Sequence, residues 1–419
     1  MTATEAPRGT APADPTSTAN HPTPGSAAGL LTAPYTGGSL FANRALRASG
    51  KVLPEHARSH NRSLVLQTLY TQGAQSRADV ARETGLTRVT VSDLVAELIG
   101  EGLVVELGQR EDARPGKPAT LIDVDRTGFH IVGLDLSEHT RFRGAVVDLD
   151  GNVVARAEVA LDGATGDRAY ELVVELLDGL LALTQTRVLG IGVGSPGVVD
   201  SNGVVRSAPN LGWSNLALQE RLAASFHLPV HVANDANVAA LAEHGSTPGD
   251  LILVKVGHGV GAGLIVGGRP VLGSGFAAGE IGHVVVGTDG GPRCACGKHG
   301  CLETWLAVPR LTAELERVER FGDADAAASA REETLREAGR RLGIVLAPVV
   351  GALNLSEVVL SGPAELLDGP LIEATVETLR MRTMAEQHRD LRLRMTAHGQ
   401  DIVLRGAAVM VLSGQLGVS

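Results

Sequence analysis

Three cysteines lie within eight positions of an otherwise cysteine-free chain of 419 residues: Cys294, Cys296 and Cys301. An odd, clustered set of this kind favours a metal site over a disulfide framework. Two histidines can complete the set, His283 upstream and His299 within the cluster. Three thiolates and one imidazole give a closed tetrahedral site that is typical of structural zinc. A buried cluster of free thiols is the alternative.

Polar side chains gather at the end of a strand and near the cysteine cluster. Asn234 and Asp235 end the run VHVAND and begin a predicted helix. This places them at the carboxyl end of a sheet strand, where ligands of α/β folds bind. With Glu280, His283 and Glu303 they supply acceptors and donors for a polyhydroxylated ligand. Each residue alone fits a helix cap or a surface charge better, so only the set predicts a sugar site.

The segment from Asn61 has the pattern of a winged helix-turn-helix. Apolar residues recur at helical spacing up to Gln72, and a short helix is expected after Ser76 and a third helix after Thr87. Two β-prone runs follow. The second helix of such a pair lies in the major groove of DNA, and a basic wing suits the minor groove. The residues expected to contact DNA are Thr87, Arg88, Thr90, Ser92, Arg114 and Lys117.

The formal net charge of −10 is unevenly distributed along the chain. Between residues 44 and 88 there are eight basic and three acidic residues. Because salt screens charges beyond about 8 Å, a basic module on an acidic body remains compatible with phosphate contacts. A helical module for oligomerisation is the alternative, with Arg88 as a solvated helix charge.

Composition divides the chain into three parts. Residues 1–50 are rich in Ala, Thr, Pro, Gly and Ser without apolar periodicity and predict a disordered tail, and the winged helix-turn-helix covers 51–125. From 126 to 419, short strands alternate with helices, which predicts an α/β fold of two lobes with a cleft between them. The helices expected in this part cover residues 167–186, 308–318, 327–350 and 371–384.

Composition also bears on the compartment. A hydrophobic content of 44% and a charged content of 20% are ordinary for a globular protein. There is no run of eighteen apolar residues, and the N-terminus lacks the charged-then-apolar profile of a secretion signal. We therefore expect a cytoplasmic protein with no membrane partner.

Several blocks of the sequence resemble the signature of the ROK family (repressors, open reading frames and kinases). They are GVGSPGVVD, SAPNLGW, VANDANVAALAE and GHGVGAGLIVGGRPVLGSGFAAGEIGH, followed by CACGKHGCLE. The resemblance runs from about residue 60 to the C-terminus and implies a two-lobed, actin-like ATPase fold behind the winged helix-turn-helix. It implies zinc bound by His283, Cys294, Cys296 and Cys301. The sugar ligands that it implies are Asn210, Asn234, Asp235, Glu280, His283 and Glu303.

The resemblance leaves a choice between a kinase and a sensor. Family kinases carry a D-x-G-G-T turn whose glycines let backbone amides approach the phosphates of ATP. Here the turn reads Asp135-Leu136-Ser137-Glu138-His139-Thr140, and we expect Glu138 to oppose a polyphosphate. His258 stands where the second phosphate loop of family kinases usually has Thr. Since phosphoryl transfer depends on positioning and charge stabilisation, we expect no enzyme activity.

The sequence therefore predicts a sugar-responsive DNA-binding regulator. We expect a repressor of genes for carbohydrate uptake or catabolism, whose binding to a double-stranded operator is modulated by a sugar or sugar derivative. A homodimer or homotetramer is expected, as is one structural zinc ion per chain. The alternative is an ATP-dependent, glucokinase-like sugar kinase with an added DNA-binding module.

Overall fold

The computed structural model describes residues 57–109, 119–246, 249–287, 290–320, 323–385 and 391–418. The predicted tail over 1–50 and the predicted wing residues Arg114 and Lys117 lie outside these ranges. In the described part of the chain, no helix combines the length and apolar content needed to cross a membrane.

Residues 57–124 form three helices and a small sheet of strand order β1-β3-β2. The elements are α1 (Ala57–Gln72), β1 (Gln75–Ser76), α2 (Arg77–Thr84), α3 (Arg88–Gly100), β2 (Val104–Gln109) and β3 (Thr120–Val124). Ser76 forms a capping box with Asp79 at the start of α2, and Gly85 ends that helix with a φ of 71°. The Thr87 side chain accepts from the Thr90 N–H and caps α3. These helices and the β2–β3 hairpin match the elements predicted for a winged helix-turn-helix, with β1 as an added short strand.

Residues 129–246 form most of the first lobe. The elements are β4 (Phe129–Asp135), β5 (Arg141–Asp148), β6 (Val153–Ala160), α4 (Gly166–Ala182), β7 (Arg187–Ser195), β8 (Val198–Val199), β9 (Val205–Ala208), β10 (Trp213–Leu216), α5 (Leu218–Phe226), β11 (Val230–Asn234) and α6 (Asp235–Ser246). The main sheet has the order β11-β7-β4-β5-β6, and β8, β9 and β10 form a small second sheet. Since β4, β7 and β11 are parallel, their carboxyl ends meet at one edge, which brings Asp135 close to Asn234.

The helix predicted over 167–186 ends earlier than expected. It is α4, which stops at Ala182. The Thr184 hydroxyl accepts from the Thr186 N–H at 3.1 Å. This local turn, a common use of a Thr side chain, leads the chain into β7 and explains the shorter helix.

Residues 251–395 form the second lobe around a five-stranded sheet of order β14-β13-β12-β15-β16. The elements are β12 (Leu251–Val256), β13 (Val260–Val266), β14 (Arg269–Pro270), α7 (Glu303–Leu306), α8 (Val308–Glu319), α9 (Ala324–Leu353), β15 (Glu357–Ser361), α10 (Ala364–Leu367), α11 (Pro370–Arg382) and β16 (Arg392–Met395). One apolar core joins this sheet to α8, α9 and α11. The two-lobed α/β architecture expected from the sequence is confirmed.

The last helix, α12 (Ile402–Leu416), returns from the second lobe to the first and is absent from the elements predicted above. It contacts α6, β4 and β7. A Cβ at Gly406 would lie 1.8 Å from the carbonyl oxygen of Val238 on α6, so only glycine permits this close approach. A further apolar cluster joins α6 and α12 to strands of the second lobe. The two helices therefore connect the two sheets.

The N-terminal module and the first lobe share one apolar core. Its members include Val65, Leu94 and Ile122 from the module and Ile131 and Val411 from β4 and α12. Two polar contacts join the same parts: the Tyr70 hydroxyl donates to the Leu149 carbonyl at 2.7 Å, and Arg187 donates to the Glu101 carbonyl at 3.0 Å. The α3 helix thus belongs to the same apolar core as the sheet that carries Asp135 and Asn234.

Candidate functional site

The structure brings His283, Cys294, Cys296 and Cys301 together. One ligand atom from each of the four residues lies within 4.8 Å of all the others. The Cys294 Sγ is 3.5 Å from His283 Nδ1, and the Cys296 Sγ is 3.7 Å from the Cys301 Sγ. These two distances match the roughly 3.5–3.8 Å between ligand atoms around a tetrahedral ion with 2.3 Å metal–sulfur bonds. This donor set can therefore hold a metal ion.

The two candidate histidines are separated by this geometry. His299 lies on the same loop as the cysteines, but its Nδ1 faces the Gly291 carbonyl at 3.2 Å. His283 ends a short 3-10 helix, Ile281–His283, whose backbone passes close to β13. A Cβ at Gly282 would lie 2.1 Å from the Val260 carbonyl oxygen, so glycine is needed beside His283 for this approach. The structure therefore places His283 with the thiols, as the family resemblance implies.

The three thiols differ in their tendency to ionise. Burial raises the pKa of Cys294 to about 12 and also raises the pKa of Cys301. Cys296 is exposed, and the Lys298 backbone N–H lowers its pKa to about 7. Since metals bind thiolates, Cys296 is the thiol most ready to provide the first ligand, while the buried pair needs the charge of an ion to ionise.

All six residues predicted to bind a sugar line one cavity of about 450 Å³. They are Asn210, Asn234, Asp235, Glu280, His283 and Glu303. The His283 Nε2 lies 4.0 Å from a Glu280 carboxylate oxygen, while its Nδ1 faces Cys294. One ring nitrogen of His283 thus faces the thiols and the other the carboxylate side of the cavity.

Several of these side chains already have partners within the protein. Asn234 accepts from the Ala236 and Asn237 N–H groups at 3.0 and 3.1 Å and donates to the Gly197 carbonyl at 2.9 Å. Its amide therefore fixes the junction of β11 and α6 and leaves less capacity for a ligand than the sequence suggests. Glu303 accepts from the Val260 N–H at 3.2 Å.

The acidic residues of the cavity influence one another. Burial raises the pKa of Glu280, His283 acts against this rise, and Asp235 and Glu303 add to it. A hydroxyl-rich, uncharged ligand can donate to these carboxylates without adding negative charge. The carboxylate side of the cavity thus favours a neutral, hydroxylated group.

Lys255 is a residue of this cleft that the sequence analysis did not single out. It lies on β12, and its Nζ is 2.9 Å from the Asp235 Oδ2 and 2.9 Å from the Ser137 Oγ. The Lys255 side chain is 19% exposed and the Asp235 side chain 15%. Burial lowers the pKa of Lys255, but the negative charges of Asp235 and Asp135 raise it by more than burial lowers it. The pKa is therefore raised overall, and the ammonium stays charged. A single charge within the apolar run LILVKVG was the available signal.

The structure corrects the expectation for Glu138. Its carboxylate forms ion pairs with the Arg143 Nε and the Arg141 Nε, each at 3.1 Å. Because these arginines follow on the strand after the turn, the negative charge of Glu138 is compensated locally and does not simply repel an anion. Arg143 also pairs with the buried Asp135 at 3.3 Å.

Two histidines stack across the cleft: His139 from the turn between β4 and β5, and His258 from the turn between β12 and β13. The rings of His139 and His258 have centroids 3.7 Å apart and planes 16° apart. Burial and the neighbouring His258 lower the pKa of His139, so its ring is neutral near pH 7. Both rings line the cavity and occupy space that two glycine-rich turns would leave open.

The outward face of α3 has fewer free hydrogen-bonding groups than the sequence suggests. The hydroxyls of Thr87 and Thr90 lie 2.9 Å apart, so part of their hydrogen-bonding capacity is used within the cap. Arg88 and Ser92 are exposed, and Arg88 forms no ion pair with any residue that the structure describes. Val89, which was not among the predicted DNA contacts, is 70% exposed.

A model of the ROK family matches residues 131–413. The chain therefore belongs to the ROK family, and the predicted family is confirmed. The match begins after β3, so it covers both lobes and the metal loop but not the helix-turn-helix.

The chain is similar both to a repressor and to a sugar kinase. The xylose repressor of Caldicellulosiruptor bescii is 28% identical over 388 residues, which cover 85% of this chain and 96% of that protein. The glucokinase of Halalkalibacterium halodurans is 30% identical over 262 residues, 55% of this chain and 79% of that enzyme. The crystal structure of a ROK family transcriptional regulator, a homolog of the E. coli MLC protein, has a TM-score of 0.76 and 25% identity, and it covers 87% of this chain and 98% of that one.

The metal cluster leads to a first prediction. Cys296→Ser should lower the metal content of the purified protein well below one equivalent per chain, because a hydroxyl replaces the most readily ionised thiolate. Elemental analysis by mass spectrometry measures this directly. His299→Ala is the matched control and should leave the metal content unchanged. Equal losses in both variants, or far less than one equivalent in the unmodified protein with intact thiols, would contradict the assignment.

Proposed function

We propose that this chain is a sugar-responsive transcriptional repressor that binds operator DNA and senses a sugar without phosphorylating it. The observation that carries the proposal is the combination of an exposed helix-turn-helix with a cleft lined by all six expected sugar residues. Genes for carbohydrate uptake or catabolism are the targets that suit such an effector.

The DNA-binding part of the proposal rests on α3 and on the relatives. The Arg88 side chain is exposed at the first turn of the helix, where a recognition helix meets base edges, and it suits the acceptors of a guanine. The xylose repressor and the ROK transcriptional regulator align over 96% and 98% of their own lengths and over 85% and 87% of this chain, which is more than residues 131–413 alone would give. As a homodimer or homotetramer, the protein would present paired α3 helices to an inverted-repeat operator.

The sugar part of the proposal rests on the cavity. Asp235, Glu280 and Glu303 supply carboxylate acceptors, and His283 adds a ring nitrogen. The similarity to a xylose repressor and to a glucokinase supports a monosaccharide or its derivative as the effector. We further propose that the metal held by His283 and the three cysteines is a structural zinc, which would fix the orientation of His283 beside the sugar.

Phosphoryl transfer is the alternative that the cleft argues against. A general base must accept a proton from the sugar hydroxyl, and Asp235 is engaged by Lys255 at 2.9 Å. The stacked His139 and His258 stand at the two turns that would approach a nucleotide's phosphates. We therefore infer that the cleft retains a ligand site but lacks the arrangement for catalysis.

The DNA-binding proposal is tested at Arg88. Arg88→Ala should reduce the preference for a duplex selected by the full-length protein over a scrambled duplex by roughly 5- to 150-fold, which corresponds to the value of about 1–3 kcal/mol for one specific contact. Fluorescence anisotropy measures both affinities. Arg168→Ala removes an exposed arginine from α4 and should leave the preference unchanged. An unchanged preference in Arg88→Ala would contradict the assignment of α3.

The absence of catalysis is tested by a paired assay. A thermal-shift screen with xylose, glucose, N-acetylglucosamine and their phosphate esters should identify at least one stabilising sugar, and Asp235→Ala should abolish that stabilisation because the cavity loses an acceptor. The same sugar with ATP and Mg²⁺ should turn over far below about 1 s⁻¹, an ordinary enzyme rate. Turnover near or above that value would return the chain to the sugar kinases.

A further inference from the structure

The turn between β4 and β5 has contacts that a phosphate-binding turn would not need. The Ser137 hydroxyl donates to the Asp135 carboxylate at 2.6 Å and accepts from Lys255 at 2.9 Å. A glycine at position 137 could make neither bond through a side chain. The serine therefore ties this turn of the first lobe to β12 of the second lobe.

Lys255 holds a second residue of the first lobe at the same time. Its ammonium lies 2.9 Å from the Asp235 carboxylate, which lines the sugar cavity. Asp235 and Ser137 are therefore linked through one partly buried cation on the opposite lobe. A change at Asp235 alters the charge that Lys255 experiences and, through it, the contact with Ser137.

The neighbouring residues of the two turns reinforce this link. His139 stacks on His258. His139 is the second residue after Ser137, and His258 is the second residue after the end of β12. Glu138 is held by Arg141 and Arg143, so the turn keeps its shape without a ligand's phosphates. We call Ser137, His139, Lys255 and His258 the interlobe clasp.

We propose that Lys255 is a positioning residue that transmits occupancy of the sugar site to the arrangement of the lobes, by releasing both Asp235 and Ser137 when a sugar binds. This inference rests on the proposed function. A sugar hydroxyl that donates to Asp235 competes with Lys255 for the same carboxylate, which loosens the clasp. A ligand shifts an equilibrium between two arrangements only by its different affinity for them, and this competition provides the difference.

The core shared by the N-terminal module and the first lobe carries the shift to the DNA side. The α3 helix shares this core with the sheet that holds Asp135 and the β4–β5 turn, whereas Lys255 lies in the second lobe. Loosening of the clasp therefore changes the position of the second lobe relative to α3. In an oligomer held through the second lobes, this change alters the spacing of paired α3 helices.

The test uses Ser137→Ala, which removes the link on one side and leaves Asp235 and Lys255 in place. The probes are the sugar that gives the largest thermal shift among xylose, glucose, N-acetylglucosamine and their phosphate esters, and the duplex selected by the full-length protein. We expect the variant to bind the sugar as tightly or up to about threefold more tightly. The change in duplex affinity caused by the sugar should shrink by about threefold or more, out of a typical coupling of roughly 5- to 150-fold.

Ser225→Ala is the matched control, because the Ser225 hydroxyl also donates one hydrogen bond, to the Arg221 carbonyl on α5. It should keep the wild-type response. Lys255→Met is a second variant, expected to lose more of the response, and circular dichroism shows whether it folds. If it does not fold, the result for Ser137→Ala decides alone.

The outcomes separate this inference from the proposed function. A wild-type response in Ser137→Ala, or loss of its sugar binding altogether, would overturn the clasp while the regulator assignment stands. If no probe sugar changes the affinity of the wild-type protein for the duplex, the proposed function fails, and the clasp fails with it.

Discussion

A partly buried positive charge organises the cleft. An ammonium that is largely removed from water is costly unless carboxylates surround it, and Lys255 obtains them from the opposite lobe. Asp235 is its direct partner and Asp135 contributes from nearby. Because the cation lies on β12 and its partners lie in the other lobe, the pairing constrains how the two lobes face each other.

The other constraint is the packing of the helix-turn-helix on the first lobe. One apolar core runs from α1 and α3 through the face of the first sheet to α12. Separate rigid domains on a linker would move independently, but a shared core makes α3 follow the sheet. The tight approach of Gly406 to Val238 fixes α12 against α6 in the same way. A rearrangement of the lobes, as proposed above, would therefore change the position of the second lobe relative to α3.

Much of this architecture was readable from local patterns. Ser76 and Thr87 cap their helices as predicted, because a cap depends on the residues within one turn. The metal cluster was also accessible, since three of its four ligands lie close together in the chain. Between His283 and His299 the residues alone left the choice open, because only the folded loop turns His299 towards Gly291.

The features that escaped prediction depend on the folded course of the chain, over both long and short separations in sequence. Lys255 meets Ser137 across 118 positions of the chain, and no spacing rule connects them. Glu138 looked repulsive because its pairing with Arg141 and Arg143 follows from the course of the hairpin. The amide of Asn234 is occupied by the N–H groups of α6, which is a consequence of where the helix begins. Helix α12 lacked a strong polar face, since it is buried between the two lobes.

The central claim is that one equilibrium between lobe arrangements links the sugar site to the DNA site. Linkage is reciprocal, so a sugar that weakens duplex binding by a given factor must itself be bound more weakly, by the same factor, when the duplex is present. Isothermal titration of the stabilising sugar into the free protein and into the protein saturated with its selected duplex measures both values. The account predicts a loss of sugar affinity equal to the loss of duplex affinity that the sugar causes. Equal sugar affinities in the two titrations would contradict it.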